Sequence, residues 1–223
     1  MSENSKITTG CEAFDDLIGG GIEKKAITQL YGEPASGKST IALMSAAGVL
    51  KSGKDVIIID SEGFSVERFR QICGEFAEEL SKHLYLFEPT DFTEQGLMIA
   101  QCDPLLKSSD VGLIIIDSAT SLYRTELGSA GEGQKKLGRQ IVHLLGYARR
   151  YNIPVIVTNQ VYMDINNDRL TGLGGTSLKH ISKIIIRVEK YADHRRAVLE
   201  KHRSMEEGKA FEFKMVETGI QEI

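Results

Sequence analysis

Cysteine is scarce in this chain, and so is any excess of charge. Three cysteines, Cys11, Cys73 and Cys102, occur in 223 residues. They lie far apart, and none forms a C-x-x-C or other metal-ligand spacing. That excludes a disulfide-stapled scaffold and fits reduced thiols in a cytoplasmic protein. No apolar run approaches the roughly 18 residues of a membrane span. The segment Met1–Lys6 has no apolar stretch of the kind a secretory leader carries. A soluble cytoplasmic chain without a membrane partner is therefore expected. The net charge is only −4, which excludes a chain that binds polyanions by bulk charge alone. Repeats, low-complexity tracts and linkers are also missing, so one domain spanning 1–223 is expected. An apolar fraction of 41% with 26% charge is ordinary globular composition, enough for a sizeable core. The sign is uneven: Lys179 to Lys214 holds ten Lys/Arg against six Asp/Glu. This leaves open a locally basic face or a mixed solvated surface.

Against these absences one run stands out. Gly32-Glu33-Pro34-Ala35-Ser36-Gly37-Lys38-Ser39 fits G-x-x-x-x-G-K-[ST] at every fixed position. An apolar run precedes it and a helix-compatible run follows, the strand–loop–helix setting in which the motif works. The glycines let successive N–H groups point inward at phosphate oxygens, and the new helix adds its positive end. Lys38 has the reach for β- and γ-phosphates, and the Ser39 hydroxyl suits Mg²⁺. The motif points to a nucleoside triphosphate.

Short apolar runs alternate with amphipathic ones. Strands are predicted at Ala26–Tyr31, Val56–Asp60, Leu84–Phe87, Gly112–Asp117 and Val155–Asn159. Helices are predicted at Lys38–Leu50, Val66–Ser81, Thr93–Leu106 and Lys135–Tyr151. Strands apolar on both faces belong in a parallel sheet covered by helices. Tyr162 to Thr176 reads as a polar, Gly-rich loop. Lys183–Glu189, Ala197–His202 and Ala210–Val216 then alternate like antiparallel additions to the sheet edge.

Asp117 ends a buried strand, where a carboxylate is held rigidly beside the phosphate loop and can orient Mg²⁺ through water. Asp60-Ser61-Glu62-Gly63 ends another. Ligands in such sheets sit at the carboxyl ends of the strands, so Glu62 is placed to accept a proton from a water attacking the γ-phosphate; a plain turn carboxylate is the alternative. Arg68 suits stacking on an adenine ring or a solvated helix surface. Gln160, after the next strand, can sense the γ-phosphate and switch the loop behind it.

Together these pieces resemble the RecA/RadA family of recombinase ATPases, and within it the archaeal branch paralogous to RadA. The resemblance is carried by Thr9-Gly10, Leu17 to Ile22, Tyr31-Gly32-Glu33, Asp60 to Phe64 with Glu67-Arg68, and Asp117 to Arg124. Thr158 to Val161, Gly174-Gly175 with His180, and Lys201-His202-Arg203 complete it. The fold it implies is α/β, a RecA-like P-loop ATPase core: a mostly parallel central sheet, helices on both faces and C-terminal antiparallel strands. It also implies ATP and Mg²⁺. Lys38, Ser39 and Thr40 match the phosphate contacts, Asp117 the Walker B acid, and Glu62 the water-activating glutamate. Arg68 matches the base-stacking position and Gln160 the γ-phosphate sensor. Single-stranded DNA is expected at the two irregular segments after Asp117 and Gln160, with Arg124, Arg169 and Lys179 as candidate contacts. Relatives with a K-x-[KR] pair insert it toward a neighbouring subunit's γ-phosphate. Lys201 and Arg203, two apart on a strand, are expected to act together there or on DNA, with a solvated edge-strand face as the alternative.

The departures matter too. The family core begins within about ten residues of Met1, without the helical domain and polymerisation linker of RadA-type recombinases, which suggests a homodimer or small oligomer rather than long filaments. The first DNA segment, Glu126 to Gly131, has no basic residue, and the second has only Arg169. Phosphate contacts supply most non-specific affinity. An accessory to the main recombinase, with slow hydrolysis, is therefore expected. RadA and a Holliday-junction resolvase are the implied partners. A KaiC-like regulatory ATPase or kinase, or a nucleotide-gated adaptor, are the alternatives.

Overall fold

Two alternating sets of buried side chains set the architecture. Val56, Ile58, Leu113, Ile115 and Ile156 face one hydrophobic layer, while Ile57, Ile59, Ile114, Ile116, Val155 and Val157 face another. Residues two apart on a strand share a face, so strands apolar at every position must be covered on both sides. The computed structural model describes residues 6–123, 131–164, 169–173 and 175–223, with the backbone alone for 162–164, 169–172 and 175–177.

The strands are β1 (Lys6–Ile7), β2 (Ile22–Glu23), β3 (Ile27–Gly32), β4 (Asp55–Asp60), β5 (Leu84–Phe87), β6 (Val111–Asp117), β7 (Val155–Asn159), β8 (Val161–Asp164), β9 (Arg169–Gly172), β10 (Ile184–Lys190), β11 (Arg195–Lys201), β12 (Ala210–Val216) and β13 (Gly219–Glu222). The helices are α1 (Glu12–Leu17), α2 (Lys38–Lys51), α3 (Val66–Cys73), α4 (Ala77–Ser81), α5 (Phe92–Ser108), α6 (Glu132–Arg150) and α7 (Gly175–Ile181). Among the described residues nine strands form one sheet in the order β13-β12-β11-β10-β3-β7-β6-β4-β5. From β10 to β5 every neighbouring pair is parallel. From β10 to β13 every pair is antiparallel. One layer packs α1 to α4 against the sheet and the other packs α5 to α7. The mostly parallel sheet with helices on both faces is thus present.

Three expectations need correction. The strand predicted at Lys183–Glu189 is no antiparallel addition: β10 pairs parallel with β3, Ile186 opposite Leu30, and only the strands after it reverse. The helix predicted across Val66–Ser81 is broken. Gly74 takes φ 62 at the end of α3 and a 3₁₀ turn, Gly74–Phe76, precedes α4, because a left-handed glycine ends a helix cheaply. The stretch Tyr162 to Thr176 holds structure of its own, the hairpin of β8 and β9 and the start of α7.

Helix α2 is buried on nearly every side, from Ile41 through Leu50, as suits a helix enclosed within a hydrophobic layer. Its small residues, Ala42, Ala46 and Ala47, let it lie against the sheet directly behind the phosphate loop. Among the described residues no helix is long and apolar enough to cross a membrane.

Candidate nucleotide site

The carboxyl ends of β3, β4, β6 and β7 come together. Tyr31 is opposite Asn159 and Asp60 is opposite Asp117 in register, so the predicted residues of four separate stretches share one edge of the sheet. Gly32 opens the phosphate loop. A Cβ there would sit 2.0 Å from the Val188 carbonyl oxygen, a backbone contact that cannot give way, so only glycine fits. Gly37 takes φ 110 and caps α2 without any side-chain bond. The first-turn N–H groups of this 14-residue helix thus meet no capping side chain at Gly37. Ser36 and Thr40 are buried, while Glu33, Pro34, Ala35 and Ser39 are exposed. Lys38 is buried and folded onto the loop, its Nζ donating to Gly32 O at 3.0 Å and Glu33 O at 2.8 Å. Burial pulls the Lys38 ammonium below its ordinary range, and Asp117, Glu62 and Glu33 pull it back up.

The acids are tightly organised. Thr158 Oγ1 donates to Asp117 Oδ1 at 2.5 Å. Asp60 is pushed up to about 6, by burial first and then by the neighbouring Asp117 charge. Ser61 rivets the two strand ends together: its N–H donates to Asp117 O at 2.7 Å and its hydroxyl to Ser118 O at 3.0 Å. Glu62 is exposed and accepts from Gln160 Nε2 at 2.5 Å, so the expected base and the expected sensor meet across 98 positions of sequence. Behind Gln160, Thr120 Oγ1 donates to Asn159 Oδ1 at 2.7 Å, and Asn159 Nδ2 donates to Leu173 O at 2.6 Å. Leu173 N donates back to Gln160 O at 2.8 Å. The base of the β8–β9 hairpin is therefore tied to the acid cluster.

The sequence alone assigns no role to Asp60, Ser61, Thr158 or Asn159. Asp60 shares with Asp117 the pattern of an acid closing a buried strand, a signal that could have found it. Thr158 and Asn159 carry no such signal, because their roles depend on strands brought beside them.

Arg68 takes up an unexpected position. Its guanidinium donates to Gln71 Oε1 at 2.9 Å, Glu217 O at 3.0 Å and Gly219 O at 2.9 Å, clamping the turn between β12 and β13. Burial lowers its pKa. The cavity bounded by Ser39, Leu43, Glu62, Phe64, Arg68 and Asp117 has a volume of about 90 Å³. That holds a few waters or a hydrated ion, whereas drug-sized ligand pockets run to several hundred Å³.

Lys201 and Arg203 do not share a strand face, because β11 ends at Lys201. Lys201 Nζ donates to Lys179 O at 2.7 Å and Ser182 O at 2.8 Å, a cation closing the C-terminal end of α7. Arg203 turns the other way and pairs with buried Glu23, Nε to Oε2 at 2.8 Å. Of the other candidate DNA contacts, Lys179 is exposed on α7. Arg169 lies in β9 with only its backbone described, and Arg124 and the segment Glu126 to Ala130 lie outside the described residues.

Comparison with known proteins agrees with this geometry. The DNA repair and recombination protein RadB of Methanoculleus marisnigri is 56% identical over 99% of this chain and 100% of its own length. The RadB of Methanococcoides burtonii is 42% identical over 97% of each. A solved structure described as the RadB recombinase superposes with a TM-score of 0.85 at 38% identity, covering 97% of this chain and 99% of that one. The fold is thus a RecA-like one. With the Rad51 family profile matching residues 2–223, the chain belongs to the Rad51 family.

Proposed function

We propose that this chain is an ATP-binding protein of DNA repair and homologous recombination that hydrolyses ATP slowly and serves as an accessory to a main recombinase. The relatives' names support the repair and recombination role. The observation that carries the nucleotide reading is the Glu62–Gln160 contact at 2.5 Å beside the phosphate loop. A general base and a hydrogen-bonding amide that meet at the edge of a triphosphate cradle suit a site that activates a water and senses the γ-phosphate.

The residues fit ATP and Mg²⁺. Gly37 leaves the start of α2 without a side-chain cap, and Lys38 is held in the loop. Among the described residues no group of three or more His, Cys, Asp or Glu side chains could hold a metal by itself. That suits Mg²⁺, which keeps several waters and uses one or two protein groups together with phosphates. Ser39 would ligate it and Asp117 would orient it through water; when bound, it supplies charge neutralisation to the phosphates. Lys38 would exchange its carbonyl partners for phosphate oxygens. Glu62 would accept the proton of the attacking water, and Gln160 would orient that water. Through the Leu173 and Asn159 bonds, a shift of Gln160 would reach the β8–β9 hairpin.

DNA, single strands preferred, is the proposed macromolecular ligand. Lys179 and Lys183 stand close enough to Lys201 for their charges to depress its pKa, after burial, so this patch is a candidate phosphate contact. A role for Lys201 and Arg203 on a neighbour's nucleotide would require both to leave their present partners. The test is ATP turnover with and without single-stranded DNA, beside DNA retention at two salt concentrations. Salt-sensitive retention with slow turnover, abolished by Glu62→Gln, is expected. No retention at either salt concentration would instead favour an adaptor or signalling role.

A further inference from the structure

Two N–H groups converge on one carboxylate oxygen at the end of β4. Asp60 is 6% exposed, and its Oδ1 accepts from Glu62 N at 2.9 Å and Gly63 N at 2.6 Å. Gly63 takes φ 101, a conformation that folds the chain back over the carboxylate and that glycine adopts without a steric penalty. Ser61, between them, is held from the opposite side by Asp117 O and Ser118 O. The backbone on both sides of the Glu62 Cα is therefore fixed, while its exposed side chain reaches on to Gln160.

A turn alone does not call for a buried acid. Asn or Ser would accept the same N–H groups at strand ends, without placing a second carboxylate beside Asp117. Asp60 is opposite Asp117 in register, where like charges raise the cost of burial. What the carboxylate adds is strength, since charge-assisted bonds to backbone N–H groups are shorter and stronger than neutral ones. The site thus holds Glu62 more firmly than an ordinary strand-end turn would.

We propose that Asp60 is the positioning residue for Glu62: its Oδ1 sets the 60–63 turn and so aims the Glu62 carboxylate at the place where Gln160 meets it. This rests on the hydrolytic reading above. The test uses the full chain and compares Asp60→Ala, Asp60→Asn and Glu62→Gln by ATP turnover and by hydrogen exchange of the Glu62 and Gly63 amides. Asp60→Ala should lower kcat roughly 10- to 100-fold, as misplaced catalytic groups do, with KM for ATP little changed and protection of both amides lost. Asp60→Asn keeps an acceptor oxygen but loses the charge, and should restore protection and kcat in part, to within about tenfold of wild type. An unchanged kcat in Asp60→Ala would overturn the proposal. So would a kcat in Asp60→Asn as low as in Asp60→Ala with protection retained, which would assign Asp60 to charge at the metal instead. Should Asp60→Ala fail to fold, Asp60→Asn still decides: a fall in kcat beyond about tenfold rejects positioning by the acceptor oxygen. If wild-type turnover equals that of Glu62→Gln, the hydrolytic reading fails separately. Exchange then decides alone: protection lost in Asp60→Ala and kept in Asp60→Asn supports the proposal, and protection unchanged in Asp60→Ala overturns it.

Discussion

Asp60 and His202 are buried titratable groups with opposite consequences. Asp60 sits beside Asp117 with its carboxyl pushed up to about 6, so at neutral pH it is held as an anion against burial and a like charge. Asp60→Asn removes that repulsion and keeps the acceptor oxygen. Urea unfolding at pH 8 without nucleotide or Mg²⁺ should show a gain on the order of 1–3 kcal/mol, as when buried charges are replaced. A loss there would mean that the charge-assisted bonds outweigh the repulsion. His202 has a side chain with 0% exposure, and its Nδ1 accepts from Ser204 N and Met205 N, both at 3.1 Å. The neutral ring must carry its proton on Nε2, and a second proton would have to enter at Nδ1 against two N–H donors. Burial lowers the His202 pKa; Glu23 raises it, and Lys6 and Arg203 lower it. The unfolded chain takes up a proton near pH 6.5 that the folded chain refuses. The unfolded state therefore binds more protons below that pH, and this contribution to stability is full above about 6.5 and lost on acidification. His202→Asn, which keeps an acceptor for the turn, should flatten the acid side of the stability curve between pH 7.5 and 5. Parallel wild-type and variant curves would contradict this.

At the scale of elements, the structure depends on a few polar ties between segments far apart in sequence. Asn159 is 0% exposed and links Thr120 to the carbonyl of Leu173. Asn159→Leu would leave a buried hydroxyl and a carbonyl without these partners, at a cost of about 1–3 kcal/mol each. Thermal unfolding should show the loss, and hydrogen exchange should show it concentrated in β8, β9 and α7. Uniform weakening across the sheet would mean that Asn159 is an ordinary core residue. Arg68 makes the corresponding tie to the C-terminal hairpin. Arg68→Ala should speed amide exchange in β13 more than in β3, because Glu217 O and Gly219 O lose charged donors while β3 stays enclosed between β7 and β10.

For the whole molecule, the ligand becomes part of the stability. The phosphate loop joins β3 to α2, and α2 lies in the hydrophobic layer with β4, β6, β10 and β12. A ligand that binds the folded state at a hundred times its Kd adds about 2.7 kcal/mol. In a chain of this size each kcal/mol raises Tm by about 2–4 °C, so saturating ATP with Mg²⁺ should raise Tm by roughly 5–10 °C. Lys38→Ala should lose most of that shift in differential scanning fluorimetry. A full shift in that variant would remove Lys38 from the phosphate contacts.

What the sequence determined by itself is local. Gly32 to Ser39 specified a loop between a strand and a helix, and β4, β6 and β7 were legible as strands apolar on both faces. Asp60, Asp117, Asn159 and Gln160 could be placed at strand ends, because a period of two and a closing polar residue are visible within a few positions. The pattern also identified which strands needed covering on both sides. It could not name their neighbours: a buried strand reads alike beside any partner, so only the folded chain set β10 parallel to β3. The same limit hid the partners of single residues. Lys201 closes α7, Arg203 finds Glu23 across 180 positions and Gln160 finds Glu62 across 98. Those pairings follow from strand order and from where β11 stops, and they arise only when the layers close on one another.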